Sequence, residues 1–404
     1  MPIEAIAERL GLLPEEVEPC GRFKTKVSLL VLDRPKDVPD AKRVCVTGIT
    51  ATKAGAGNTT TLVRPTQGLG AIGKNPVACL RKPSVGPVFG DKGETAGGDL
   101  SQAVRVEELN LHFTGDIHVI GAANNLLAAM IDASDSARRS PRNRRVARLW
   151  WQALDTNGRA LRKVTVGPLG RAHGYARNTG LDITAASEVM RVVAVARDLH
   201  DLRDRLSAIT AACSRDANRS RPGSSGPARG ITVLLTDALR PNLVQTLEGQ
   251  PVLIHCGPLA SMDHRNNSLV ADLVAMKLGD DAVTESGFGS DLGMEKLFSI
   301  VCRYGGLIPS PAVLVVTGGA PKHDRGVAAD QHVERSAHRY AIELGMARAR
   351  RHLTIIKTFG VPAFVAVNRR PTDTPPPDHI AFLDTFQGRG TGVMTTISCW
   401  RSGP

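Results

Sequence analysis

Aromatic residues are scarce in this chain: 3 Trp, 3 Tyr and 9 Phe among 404 positions, 4% in all. With 40 glycines, that composition fits a loop-rich α/β enzyme better than a β-sandwich. Cysteine is sparse too. The 7 cysteines are scattered, odd in number and form no CxxC pair, which argues against a disulfide framework and a zinc site. Reduced cysteines in a cytoplasmic protein is the reading that remains. Acidic residues are outnumbered, 39 against 51 basic, for a net charge of +12. Such an excess attracts nucleic acid or anionic small molecules. No apolar run approaches the roughly 20 residues of a membrane helix. Met1 to Arg9 carries Glu4 and Glu8 and lacks the apolar centre of a signal peptide. At this length, and 42% hydrophobic, the chain can bury a large core and more than one domain.

What is present is organised around Arg43 to Arg81. Val44-Cys45-Val46-Thr47 reads as a buried strand. Thr52-Lys53-Ala54-Gly55-Ala56-Gly57-Asn58-Thr59-Thr60 reads as a glycine loop opening a helix, and Pro76 to Leu80 as a second strand closed by Arg81. A glycine loop between strand and helix turns backbone N–H groups and the helix N-terminus towards one point, which suits phosphate. A Walker A loop has lysine where Asn58 stands. Pro65 falls inside the helix, where proline removes a hydrogen bond and predicts a kink.

The rest alternates. Pro2 to Glu18 has helical spacing, with a second helix start at Pro14. Gly86 to Gly98 reads as loop, Gly115 to Ala133 as an amphipathic helix with Asp116 as a candidate cap, and Leu181 to Leu206 as helical. The arginine run Arg138 to Arg148 reads as a solvated face and Ser214 to Gly230 as a surface loop. Trp150-Trp151 reads as packing. Strands at 251–255, 281–284, 311–317 and 362–367 then alternate with helices at 267–278, 291–303 and 331–352. That rhythm predicts a mostly parallel sheet covered on both faces. Its strands end in Thr47, Arg81, His255, Glu285 and Asn368, where ligands of such sheets bind. The rhythm fails at Pro375-Pro376-Pro377.

Several segments resemble one family. They include GRFKTKVSLLVLDRPKDVPDAKRVCVTGITATKAGAGNTTT, RKPSVGPVFG from Arg81, LNLHFTGDIH from Leu109, LDITAASE from Leu181, PNLVQTLEG from Pro241, HCGP from His255, TESGFGSDLG from Thr284 and PTDT from Pro371. In order from Gly21 to Trp400, the series is similar to formate–tetrahydrofolate ligase. The resemblance implies a P-loop NTPase-like α/β fold: residues 1–367 as the nucleotide and formyl-phosphate domain, and 368–404 as the start of a truncated folate-side domain.

It further implies a reaction of one-carbon metabolism. Formate attacks the γ-phosphate of ATP to give formyl phosphate, and N10 of tetrahydrofolate takes the formyl group. Arg81 matches the arginine beside formyl phosphate, and Thr59 the P-loop residue that reaches Mg2+. Trp400 matches the tryptophan on which the pterin stacks. Thr52, Lys53, Ala54, Gly55, Ala56, Gly57, Asn58, Thr59 and Thr60 would cradle the nucleotide. Asn58, at the lysine position, carries no charge, and Lys53 is the alternative cation. Glu94, Thr95, Asp99 and Leu100 replace small residues and a tyrosine, Gly319 replaces an arginine, and Arg370 an aromatic contact. Partners are therefore small molecules rather than nucleic acid or membrane, with a homotetramer implied by the family. The alternative is a catalytically weak or inactive relative that binds nucleotide or pairs with an intact synthetase.

Overall fold

The computed structural model describes residues 1–35, 40–49, 57–89, 96–98, 100–137, 145–148, 150–169, 176–214, 219–220, 226–259, 264, 266–317, 335–369 and 392–397. Outside these lie Thr52 to Ala56, Glu94, Thr95, Asp99, Gly319, Arg370, the 375–377 proline run and Trp400.

Among the described residues, twelve strands form one sheet. In chain order they are β1 (Val17–Pro19), β2 (Thr25–Val27), β3 (Lys42–Gly48), β4 (Pro76–Leu80), β5 (Gly97–Gly98), β6 (Ser101–Val104), β7 (Asn242–Thr246), β8 (Pro251–Ile254), β9 (Asp281–Gly289), β10 (Ala312–Thr317), β11 (Ala363–Arg369) and β12 (Gly392–Ile397). Their spatial order is β1-β2-β7-β8-β4-β9-β3-β10-β11-β12, with β6 also on β7 and β5 on β6. Every pairing from β8 through β12 is parallel. The edge built from β1, β2, β5, β6 and β7 is antiparallel.

Alternation along the parallel strands sorts the core onto two faces. Leu314, Val316 and Val365 pack with Ala349, Leu353 and Ile356 of helix Arg335–Thr358. On the same side, Val77 and Cys79 meet Ala271, Val274 and Ala275 of Leu269–Leu278, and Ile3 and Ile6 of Ile3–Arg9. The intervening residues Val46, Ala78, Val283, Val313 and Val315 turn the other way, onto Leu62 and Val63 of helix α1 (Asn58–Ala71). Helices therefore cover both faces, as the βα rhythm predicts. A further apolar cluster joins helix α2 (Asp116–Ala137) to Glu188–Val195, Leu199–Ala208 and Pro227–Leu234.

Pro65 lies inside helix α1, as its position in the sequence predicts, and the helix runs on to Ala71. Several local expectations change. Leu181 to Leu206 is two helices rather than one, separated at Ala196. Within 86–98, a short helix Val85–Val88 and the strand Gly97–Gly98 replace a continuous loop. Of the arginine run, Arg145–Arg148 is a strand paired with Ala212–Ser214. Trp150 is buried and its indole N–H donates to the Asn124 carbonyl at 3.1 Å, but Trp151 stays 42% exposed. Asp116 serves as a long-range anchor. Its carboxylate accepts Lys26 Nζ at 2.8 Å and Asn242 Nδ2 at 2.7 Å, tying α2 to β2 and β7.

Candidate active site

Strand β9 lies between β3 and β4, although it follows both by some 200 residues in sequence. Its C-terminal end therefore falls between the start of α1, which continues from β3, and Arg81, which continues from β4. Glu285 is the last residue of β9 in unbroken register with β3, opposite Val46, and is buried. Its carboxylate joins the two neighbours. Oε1 accepts the Arg81 backbone N–H at 2.8 Å and the Arg81 Nε–H at 3.2 Å. Oε2 accepts the Thr59 hydroxyl at 2.9 Å. Topology thus brings Thr59 and Arg81 to one carboxylate.

The helix that carries Thr59 begins after Gly57, whose φ of 72° is left-handed and suits glycine. Asn58 then opens the helix, but its side chain turns to the protein. Its Nδ2 donates to the Phe288 carbonyl at 3.2 Å, and its buried Oδ1 has no partner among the described residues. Phe288 itself is left-handed at φ 67°, an uncommon conformation for a bulky residue and one that recurs at ligand sites. The amide Oδ1 is an acceptor. It cannot donate to phosphate oxygens, as the ammonium of a lysine at this position would.

The segment after Arg81 is clamped. Lys82 N–H donates to the Cys256 carbonyl at 2.6 Å, and Lys82 Nζ to the carbonyls of Pro83 and Leu111 at 2.6 and 2.8 Å. The backbones pass so closely that a Cβ on Gly257 would lie 2.1 Å from the Lys82 carbonyl oxygen. Asp155 accepts the Ser84 hydroxyl and, at 3.1 Å, the Val85 N–H. Arg81 is thereby held by Glu285 at its own backbone and by anchors on Lys82, Ser84 and Val85.

The other polar strand ends divide. His255 is a fully buried structural residue. Nε2–H donates to the Ala238 carbonyl at 2.6 Å, so Nδ1 is left to accept the Ser268 hydroxyl at 2.6 Å. Burial holds its pKa down at about 4. Cys256 is left-handed at φ 50°, and burial pushes its thiol far up, which suits packing rather than nucleophilic attack. His112 and His118 are exposed and stack edge to face with centroids 5.8 Å apart. Thr47 is fully buried beneath the site.

Of the residues expected at the nucleotide, Gly57, Asn58, Thr59 and Thr60 head α1, and Arg81 joins Thr59 through Glu285. Thr52, Lys53, Ala54, Gly55, Ala56 and Trp400 lie outside the described residues. Sequence reasoning flagged Glu285 only as a polar strand end. It missed Asp155, which carries no periodic or spacing signal. The described residues contain no group of three or more His, Cys, Asp and Glu that could hold a metal. The Thr59 hydroxyl and the Glu285 carboxylate are hard oxygen donors side by side. That set fits Mg2+, which keeps several waters and takes few protein ligands besides phosphate oxygens.

A mostly parallel α/β sheet covered by helices on both faces, with a helix N-terminus, a hydroxyl, a carboxylate and an arginine gathered where its strands end, places the protein in the doubly wound class, whose ligands bind at such strand ends. The family model for formate–tetrahydrofolate ligase matches residues 1–404. Proteins named formate–tetrahydrofolate ligase are similar along the same span. The one from Desulforamulus reducens is 45% identical over 409 residues, covering 100% of this chain and 72% of its own length. That from Granulibacter bethesdensis is 46% identical over 376 residues, with 92% and 65% covered. That from Maricaulis maris is 48% identical over 405 residues, with 100% and 72% covered. The chain belongs to the formate–tetrahydrofolate ligase family, a family of enzymes.

Proposed function

We propose that the chain ligates formate to tetrahydrofolate at the expense of ATP, by way of formyl phosphate, and that Asn58 slows it. The observation that carries this reading is the Thr59–Glu285–Arg81 chain of hydrogen bonds at the head of α1. Phosphoryl transfer needs donors and positive charge around the moving phosphoryl group. The N-terminus of α1 supplies backbone N–H groups for the phosphates. The Arg81 guanidinium, oriented by Glu285, faces the oxygens of formate and of the transferred phosphoryl group. Mg2+, when bound, would neutralise phosphate charge, with Thr59 and Glu285 as the residues that hold it.

The orientation of Asn58 also favours a second reading, a nucleotide-binding relative with little turnover, because its amide is spent on Phe288. Residues 1–367 form the nucleotide and formyl-phosphate unit, and 368–404 lead into the folate side. Assembly into homo-oligomers and a cytoplasmic setting accompany the ligase reading. Among the described residues no helix is long and apolar enough to cross a membrane.

Oxygen tracing tests the reading. With formate labelled by 18O, attack on the γ-phosphate followed by displacement at the formyl carbon leaves one formate oxygen in the inorganic phosphate. Unlabelled phosphate alongside product would overturn the intermediate.

A further inference from the structure

The segment that leaves Arg81 is fastened from two separate parts of the fold. The sheet supplies the first fastenings: Glu285 of β9 accepts the Arg81 backbone N–H, and Cys256, just past β8, accepts that of Lys82. The next comes from the part of the chain packed on α2. Ser84 stands at the N-cap position of the short helix Val85–Val88, yet its side chain makes no cap. A helix start normally takes an acceptor from that side chain. The Ser84 hydroxyl, on a fully buried residue, donates instead to Asp155 Oδ1, and Asp155 Oδ2 accepts the Val85 N–H at 3.1 Å. Nearby, Asn157 Nδ2 donates to the Gly86 carbonyl at 2.6 Å. Asp155 thus caps, from 70 residues away in sequence, the turn that its own N-cap residue leaves open.

The carboxylate is itself held in place. Ala153 exchanges two hydrogen bonds with the Asn125 side chain of α2, its N–H donating to Oδ1 at 2.7 Å and its carbonyl accepting Nδ2 at 2.9 Å. The strand Gln152–Ala153 pairs in parallel with Leu181–Asp182, and the Leu154 N–H extends that pairing onto the Asp182 carbonyl at 2.8 Å. Helix α2 is in turn tied to β2 and β7 through Asp116. Hydrogen bonds and short backbone links therefore lead from α2 through Asn125, Ala153 and Asp155 to Ser84, three residues from Arg81. A hydroxyl bonded to a carboxylate is roughly twice as strong a contact as a neutral pair.

We propose that Asp155 is a positioning residue for Arg81. Glu285 sets the direction of the guanidinium, and Asp155 fixes the backbone from which it reaches. The inference rests on the ligase reading, in which Arg81 faces formate and the transferred phosphoryl group. There a displacement of about 1 Å costs about 10²-fold in rate. Alanine at 155 releases the Ser84 hydroxyl and the Val85 N–H together, so the segment after Lys82 loses its downstream fastening. The head of α1, Thr59 and the Glu285 carboxylate keep their own bonds. The loss therefore falls on formate rather than on ATP.

The wild-type chain, Asp155→Ala, Asp155→Asn and Ser84→Ala are compared in four measurements: kcat/KM for formate, ATP affinity by calorimetry, melting temperature, and amide hydrogen exchange of peptides spanning Arg81 to Val85. In Asp155→Ala, kcat/KM for formate should fall about 10²-fold while ATP affinity stays level. Exchange at 81–85 should quicken. Asp155→Asn keeps an oxygen acceptor for the Ser84 hydroxyl and should recover part of the loss. A merely structural role would lower formate efficiency, ATP affinity and melting temperature in step, and that outcome overturns the proposal. Wild-type formate efficiency in a folded Asp155→Ala, or unaltered exchange at 81–85, also overturns it. Where Asp155→Ala does not fold, Ser84→Ala carries the same test, with an expected fall of about 10-fold. Absence of formate-dependent ADP formation in the wild-type chain overturns the ligase reading, and exchange at 81–85 then still decides whether Asp155 holds the Arg81 segment.

Discussion

The Thr59 hydroxyl donates to Glu285 Oε2 at 2.9 Å, across an interval of 226 residues. The contact exists because β9 inserts between β3 and β4, and it binds the head of α1 to the carboxylate that also holds Arg81. Replacing Glu285 by alanine removes the acceptor for both neighbours. Turnover should fall about 10²-fold or more, the scale of losing a preorganised electrostatic group. Glu285→Gln keeps an amide oxygen for Arg81 and an amide nitrogen for Thr59 but loses the charge. That variant should need a higher Mg2+ concentration for half-maximal activity, measured by Mg2+ titration of the initial rate. An unchanged titration would separate Glu285 from the metal.

Asn58 gives a gain-of-function test. Among the described residues its amide meets only the Phe288 carbonyl and its Oδ1 has no partner, so little is lost by replacing it. Asn58→Lys should raise kcat for ATP-dependent product formation by about 10²-fold, the reverse of the usual loss. Melting temperature should change little. An unaltered kcat with intact nucleotide affinity would mean that another cation already occupies the position.

Two buried histidines set an acid limit on stability. His255 is held down at about 4 and His264 at about 3, both below the ordinary value of 6.5. Above pH 6.5 neither titrates in either state, and the stability is fully present. As pH falls below 6.5 the unfolded chain takes up protons that the native chain refuses, until the folded values are reached. Stability should therefore decline by about 1.4 kcal/mol per pH unit for each histidine below that point. Urea midpoints between pH 7.5 and 5 read this before carboxylates contribute. The slope should be shallower in His264→Leu.

Arg43, near the start of the interior strand β3, is buried, with its guanidinium on Asp272 and, at 3.0 Å, on Cys302 Sγ. Asp272 Oδ1 also accepts Asn267 Nδ2 and the Thr284 hydroxyl, each at 3.0 Å. Removing the carboxylate strands a buried cation. Asp272→Ala should destabilise the fold by about 3–5 kcal/mol, seen in the denaturant midpoint. Replacing both partners, as in Arg43→Met with Asp272→Leu, should cost less than Asp272→Ala alone.

The βα units were legible because their strands are apolar runs with abrupt polar ends; Pro76–Leu80 and 312–317 need little tertiary context. What chain order cannot convey is spatial order. Glu285 was visible as a polar strand end, but its reach to Thr59 and Arg81 follows only from β9 lying between their strands. Asp116 showed the same limit. A local cap was the natural reading, whereas its partners Lys26 and Asn242 come from distant strands. Helix α1 runs on past Pro65 because Leu62 and Val63 hold it on the sheet, so tertiary burial outweighs one lost hydrogen bond. Strand β12 escaped notice because the proline-rich stretch before it interrupts the rhythm.

Under the ligase reading, this chain makes 10-formyltetrahydrofolate. Purified protein with formate, ATP, Mg2+ and tetrahydrofolate should form that product with one ADP released per molecule, and none when formate is omitted. Full nucleotide binding with no product, at enzyme and substrate concentrations that detect a rate about 10³-fold below an ordinary kcat of about 10 per second, would contradict it.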